Sequence, residues 1–182
     1  MLDQSRFPTW KMEMKSQGLA STDKLEQTAR NVLLHQLSKS PKSSKELSEI
    51  LANREIPAEI AEPVIQRFIE VGLIDDLAVA ESFVNHRSRQ LKAKRVIAYE
   101  LKKKGVDDAI IEQATDQIEH SDQEIANMVA AKRIRSLKNL EEQVVRRRLM
   151  GFLQRRGFSG EISSRAISFA IDGLKLGDNE HS

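Results

Sequence analysis

Leu101–Ala114 reads LKKKGVDDAIIEQA, and a version of it returns 52 residues later as LQRRGFSGEISSRA, Leu153–Ala166. Leu101 answers Leu153, Gly105 answers Gly157, Val106 answers Phe158, Ile110 answers Ile162 and Ala114 answers Ala166. A weaker copy lies 50 residues upstream in LANREIPAEIAEPV, where Leu51, Ile56, Ile60 and Val64 keep the apolar places and Glu55 takes the glycine's. The apolar position before the motif repeats as well, as Leu47, Ile97 and Leu149.

Such a pattern has a direct physical reading. A helix that stops on a left-handed residue favours glycine there, and the next apolar residue packs back on the third from the end. Gly105 with Val106 and Leu101 fits, as does Gly157 with Phe158 and Leu153. The apolar spacing beyond each stop then opens another helix. Glu55 is the least comfortable stop, since a left-handed turn costs a non-glycine residue about 1–2 kcal/mol, so the first unit is the one expected to end differently.

A period near 50 residues in a chain of 182 implies small units leaning on their neighbours. Aromatics are 4% and Leu, Ile, Val, Ala, Glu, Lys, Arg and Gln dominate, so the chain should be all-α. We expect three tandem three-helix repeats in an elongated, curved, right-handed or solenoid-like body. The limits are an irregular N-terminal arm at 1–21, repeats at 22–74, 75–120 and 121–173, and a polar tail at 174–182. Phe7 and Trp10 in the arm are apolar enough to dock on the first helix or on a partner.

Cap signals place the helices. Asp23 with Glu26, Ser43 with Glu46, and Ser121 with Glu124 have capping-box spacing, and Asn139 with Glu142 repeats it. Pro57 suits the start of a helix, and Gly72 and Gly173 suit stops. Leu25, Ala29, Val32, Leu33 and Leu37 share one face of the first helix. Ile162, Ala166, Phe169 and Ile171 close the third unit, and Phe83, Tyr99, Phe152 and Phe158 read as core.

The absence of cysteine removes disulfides, thiolate nucleophiles and thiolate-ligated metals, which suits a reducing compartment. With no apolar run of membrane-spanning length and no signal-peptide core at the N-terminus, a cytoplasmic protein is expected. His35, His86, His120 and His181 lack ligand spacing, and no phosphate loop or nucleophile elbow is present. Asp75 and Asp76 read as a helix cap with a favourable N-terminal charge, against a metal or acid–base pair that nothing else completes. No cofactor, metal or catalytic residue is assigned, and an enzyme is not expected.

Charge is unevenly spread. From Val84 to Lys104 eight basic residues face the single acid Glu100, and from Ala130 to Gly157 nine face two. Between them, Gly105–Asn127 carries seven acids and no Lys or Arg. The first band holds Arg87, Arg89, Lys92, Lys94, Arg95, Lys102, Lys103 and Lys104. The second holds Lys132, Arg133, Arg135, Lys138, Arg146, Arg147, Arg148, Arg155 and Arg156. A solvated face with cations at helix C-termini is one reading. Contact with phosphate or an acidic protein is the other.

GLIDDLAVAESFV at 72–84, ELKKKGV at 100–106 and RRRLMGFLQRRGFS at 146–159, taken in order, resemble the RecX family of RecA regulators. The resemblance covers about residues 29 to 172. Val79 stands where the family usually has an aromatic, Leu91, Lys92 and Ala93 form a link that often holds glycine, and Glu55 replaces a more common glycine. The resemblance implies a non-enzymatic modulator that binds the RecA protein and its filament on single-stranded DNA; separately, a monomer is expected. It would lie along the filament groove and restrain ATP hydrolysis, strand exchange and co-protease activity, with the basic bands contacting RecA or DNA. The other candidates are a helix-turn-helix protein acting on duplex DNA, for which a polar recognition helix is lacking, and a purely protein-binding scaffold.

Overall fold

The computed structural model describes residues 9–179, with side chains over 21–175. Among these the chain forms helices and no strands: α1 (Thr9–Leu37), α2 (Ser44–Ala52), α3 (Ala58–Glu70), α4 (Asp76–Arg89), α5 (Lys94–Lys103), α6 (Asp108–Asp116), α7 (Asp122–Ile134), α8 (Glu142–Arg155) and α9 (Gly160–Asn179). They enclose three apolar clusters. The first gathers Ala29 and Leu33 of α1 with Leu47, Leu51, Val64 and Phe68. Another joins Ala80 and Val84 to Ile97, Leu101, Val106 and Ile111. The largest packs α7, α8 and α9 around Val129, Leu149, Leu153, Phe158 and Ile167, and takes in Ala93 from the start of α5. Two compact units result, one ending at Asp76 and the other starting at Leu77.

All three repeated motifs end their helix in the same way. Ile56, Val106 and Phe158 donate their N–H groups to the carbonyls of Leu51, Leu101 and Leu153 at 3.2, 3.3 and 3.2 Å. One residue earlier, Glu55, Gly105 and Gly157 donate to Ala52, Lys102 and Gln154 at 2.9, 3.0 and 2.9 Å. This pair of bonds satisfies two carbonyls that a helix end leaves orphaned. The stop residues have φ of 60°, 75° and 92°. Glu55 therefore does not end its unit differently: it adopts the left-handed turn, its side chain in solvent, while Leu51 and Ile56 on either side are buried. Gly72 ends α3 by the same geometry, with φ 71°.

A second device also recurs. Asp76 opens α4, yet its carboxylate accepts from the N–H and the hydroxyl of Ser44, the first residue of α2, at 2.7 and 2.6 Å. Asp122 opens α7, and its carboxylate accepts from the N–H of Lys94, the first residue of α5, at 2.9 Å. In each case the residue that starts one helix supplies an anion to the positive end of another, where free N–H groups and the helix dipole favour it. Ser43 and Ser121 form the expected capping boxes with Glu46 and Glu124.

Five expectations need correction. The arm assigned to 1–21 is helical from Thr9, because residues 9–20 are rich in good helix formers and Gly18 alone costs about 1 kcal/mol. Residues 1–8 and the docking of Phe7 and Trp10 lie outside what is described. Asp23 and Glu26 consequently sit inside α1, and Glu26 pairs with Arg30 at 3.0 Å. Asn139 does not cap α8: turns after α7 bury Leu137, and Glu141 takes the cap position without a side-chain bond. The chain also stays helical past Gly173 to Asn179, where a tail was expected. Gly173 faces open space and Leu174 still packs on the core. Phe169 is 57% exposed, since Ala166, Ile167, Ala170 and Ile171 form the inward face of α9.

Three substitutions test these devices by urea unfolding. Glu55→Gly should add about 0.5–1 kcal/mol, as relief of the left-handed cost exceeds the extra freedom of an unfolded glycine. Gly157→Ala should remove at least about 2 kcal/mol, because a Cβ there would stand 2.1 Å from Val96 Cγ2 in a left-handed turn. Asp122→Ala should cost about 1–2 kcal/mol by stripping the end of α5 of its anion.

Candidate functional site

In the first basic band, much of the charge is used by the fold. Glu100 lies between Arg87, whose Nε is 2.7 Å from Oε2, and Lys92, whose Nζ donates to Oε1 at 2.8 Å. All three side chains are about one quarter exposed, at 27%, 25% and 25%. Burial by itself would raise the Glu100 carboxyl, but the Lys92 hydrogen bond and the charges of Arg87 and Lys92 outweigh it and hold the group below its ordinary value. Arg95 donates to the carbonyl of Gly157, and Arg156 donates to the carbonyl of Gln90. The Arg156 carbonyl in turn accepts from Ala93 N–H at 3.1 Å. These two arginines thus join the start of α5 to the stop after α8.

The remaining members of that band lie nearer solvent. Lys94 is half-buried and gives its backbone N–H to Asp122, while Arg89 is exposed. Lys102 pairs with Asp108 at 2.8 Å, both well exposed, a contact worth little. Lys103 lies 5.2 Å from the Tyr99 ring, and Lys104 and Arg87 lie 5.9 and 5.0 Å from that of Phe83. Tyr99 is 60% exposed, not core, because it stands two residues from buried Ile97 and so points away from it. Phe158 is fully buried, and Phe83 and Phe152 pack on the edges of their clusters.

The second band leaves more cations available. Arg146 pairs with Glu142, which Lys175 also reaches. Lys132, Arg133, Arg135, Arg147, Arg148 and Arg155 are exposed, with no ion-pair partner among the described residues. Arg148 and Arg155 share a face of α8 with Gly151, and the Arg155 guanidinium lies 3.3 Å from where a Cβ on that glycine would stand. Arg133 and Arg156 lie 5.4 and 4.8 Å from the Phe152 ring. With Lys132 they border a groove of about 320 Å³ whose apolar walls are Leu91, Val129 and Phe152. Spacing alone could not foresee it, since the bordering residues come from three separate segments.

No group of metal-binding side chains occurs among the described residues, and no helix there is long and apolar enough to cross a membrane. Asp76 is committed to Ser44, which accounts for one of the two adjacent carboxylates.

Helices grouped in threes, each repeat stopped by the same turn and the later ones faced with cations, define a tandem three-helix-repeat protein. Comparison with known families gives this class a name. Residues 29–68, 75–114 and 121–167 match the first, second and third three-helix domains of RecX. The regulatory protein RecX of Streptomyces coelicolor is 39% identical over 153 residues, covering 82% of this chain and 80% of that one. That of Thermobifida fusca is 36% identical, with 82% of both covered. The crystal structure of RecX from Lactobacillus salivarius superposes with a TM-score of 0.67 at 26% identity, over 81% of this chain and 97% of that one. A second RecX crystal structure gives 0.69 at 23% identity, over 91% and 80%. The chain belongs to the RecX family of regulatory proteins.

Glu100 offers a pH test. Its folded value lies below the ordinary 4.5, so its stabilising contribution is complete above that pH and disappears as pH falls through the folded value. Glu100→Gln should cost about 1–2 kcal/mol at pH 7, and the gap to the parent protein should narrow as pH falls below the ordinary 4.5 through the lowered folded value. Unfolding midpoints measured from pH 7 to pH 3 would show this.

Proposed function

We propose that this protein is a non-enzymatic modulator of the RecA recombinase, acting in the cytoplasm as a monomer and as an inhibitor. It binds RecA and its filament on single-stranded DNA and restrains ATP hydrolysis and strand exchange. The observation that carries this reading is the exposed set Lys132, Arg133, Arg135, Arg147, Arg148 and Arg155, at the end of α7 and on α8 of a RecX-family chain. Each of these helices also has a buried apolar face, so the cations are held by a rigid scaffold. Arg89 and Lys103 extend the available charge into the second repeat.

A nucleoprotein filament repeats its protomers, so several weak charged contacts made at once add through effective concentration. Phosphate contacts would contribute a term that falls steeply with salt. Arg87, Lys92, Arg95 and Arg156, by contrast, are engaged within the protein and serve the surface by shaping it.

The test is the single-stranded-DNA-dependent ATPase of the cognate RecA, with this protein titrated from far below the recombinase concentration and a parallel series containing excess DNA. Substoichiometric inhibition that survives the added DNA is expected. Inhibition abolished by the added DNA would instead mark competition for DNA, and an unchanged ATPase would remove the proposal.

A further inference from the structure

We propose that the groove between α7, α8 and the Leu91 link is a docking site for an acidic peptide segment that carries one apolar side chain among its carboxylates. Several independent features converge on that chemistry. Lys132, Arg133 and Arg156 border the groove, and no carboxylate lines it, so the occupant is anionic. Between the cations the surface is Leu91, Val129 and Phe152, and a purely ionic ligand would leave these apolar walls wet. The volume of about 320 Å³ suits one or two side chains with their backbone.

The aromatic ring argues for a peptide over a nucleic-acid strand. Two guanidinium groups lie within 5.4 Å of the Phe152 centroid, so the ring is engaged by cations and is not a free platform for a base. Arg156 is fixed by its bond to the Gln90 carbonyl, and arginine's planar fork suits bidentate capture of a carboxylate. Ser136 at the groove edge donates to the Arg133 carbonyl at 2.8 Å, bracing the turn after α7.

Leu91 supplies a further sign. Among the described residues it is one of two non-glycine positions with left-handed backbone, at φ 55°. Glu55, the other, turns its side chain to solvent, whereas Leu91 lines the groove and packs on the edge of the core. A strained residue that holds an apolar side chain at a charged groove is the kind of outlier found at binding sites. Glycine would suit the backbone and leave that wall missing.

The inference goes beyond the RecA proposal and stands without it, because its probe is a synthetic peptide and no recombinase is present. The full chain is titrated into a fluorescent peptide of Asp and Glu with one central leucine. Controls are the same peptide with serine at the centre and a single-stranded oligothymidine. The leucine peptide should bind about tenfold more tightly than the serine peptide. Leu91→Gly should weaken the leucine peptide about fivefold or more while its melting temperature stays within about 4 °C. Lys132→Glu with Arg133→Glu should weaken it at least tenfold, and Arg165→Glu on α9 should leave it within about twofold. Equal affinity for the two peptides, or indifference to Leu91→Gly, would reduce the groove to diffuse charge and overturn the proposal. Oligothymidine that displaces the peptide and depends equally on Leu91 would reassign the groove to nucleic acid.

Discussion

The carbonyls of Leu51, Leu101 and Leu153 each accept an N–H from five residues further along, and the rest of each repeat depends on that bond. It requires a left-handed residue just before the donor, and it brings an apolar residue back beside the buried leucine. The direction in which the next helix leaves is thereby fixed, and with it the face offered to the core. Gly157 shows how narrow the tolerance is: its bare Cα accommodates Val96 of α5, so the stop that ends α8 within the third repeat also packs against the second. Asp122 and Asp76 complement the stops from the opposite end by giving helix N-termini a distant anion.

That scaffold divides the cations into two populations. Arg87 and Lys92 share the Glu100 carboxylate, and Arg95 and Arg156 donate to backbone carbonyls, so their side chains are engaged within the molecule. The exposed Lys132, Arg133, Arg147, Arg148 and Arg155 have no ion-pair partner among the described residues, and they sit on helices anchored by Val129, Ile134, Val145 and Leu149. A rigid presentation limits the entropy lost when a partner is bound. Arg156 spans both roles, since the group that bonds to the Gln90 carbonyl also faces Phe152 and the groove.

Much of this was legible in the residues alone. Leu, Gly and apolar residues at matching offsets announced the stops, and Ser43–Glu46 and Ser121–Glu124 announced two helix starts, because both signals are local hydrogen-bond chemistry. The shared apolar positions likewise marked Leu51, Leu101 and Leu153 as core. What escaped was set by distance in sequence. Asp76 looked like a cap for its own helix, and only the fold reveals Ser44, 32 residues away, as its partner. The uses of Arg95 and Arg156 depend on carbonyls 62 and 66 residues distant. Tyr99 and Phe169 were misplaced for a simpler reason: composition marks an aromatic as apolar, whereas helical phase decides which way it points.

The division of the cations is most directly tested by comparing two charge-removal variants of similar size. One carries Lys132→Ala, Arg147→Ala, Arg148→Ala and Arg155→Ala, and the other carries Arg87→Ala, Lys92→Ala, Arg95→Ala and Arg156→Ala. For each, the thermal unfolding midpoint is measured beside affinity for the RecA filament. The first should keep its midpoint within about 4 °C and lose most of its affinity, and the second should lose stability first. A first variant that binds the filament as well as the parent, or a second that melts unchanged, would contradict the division.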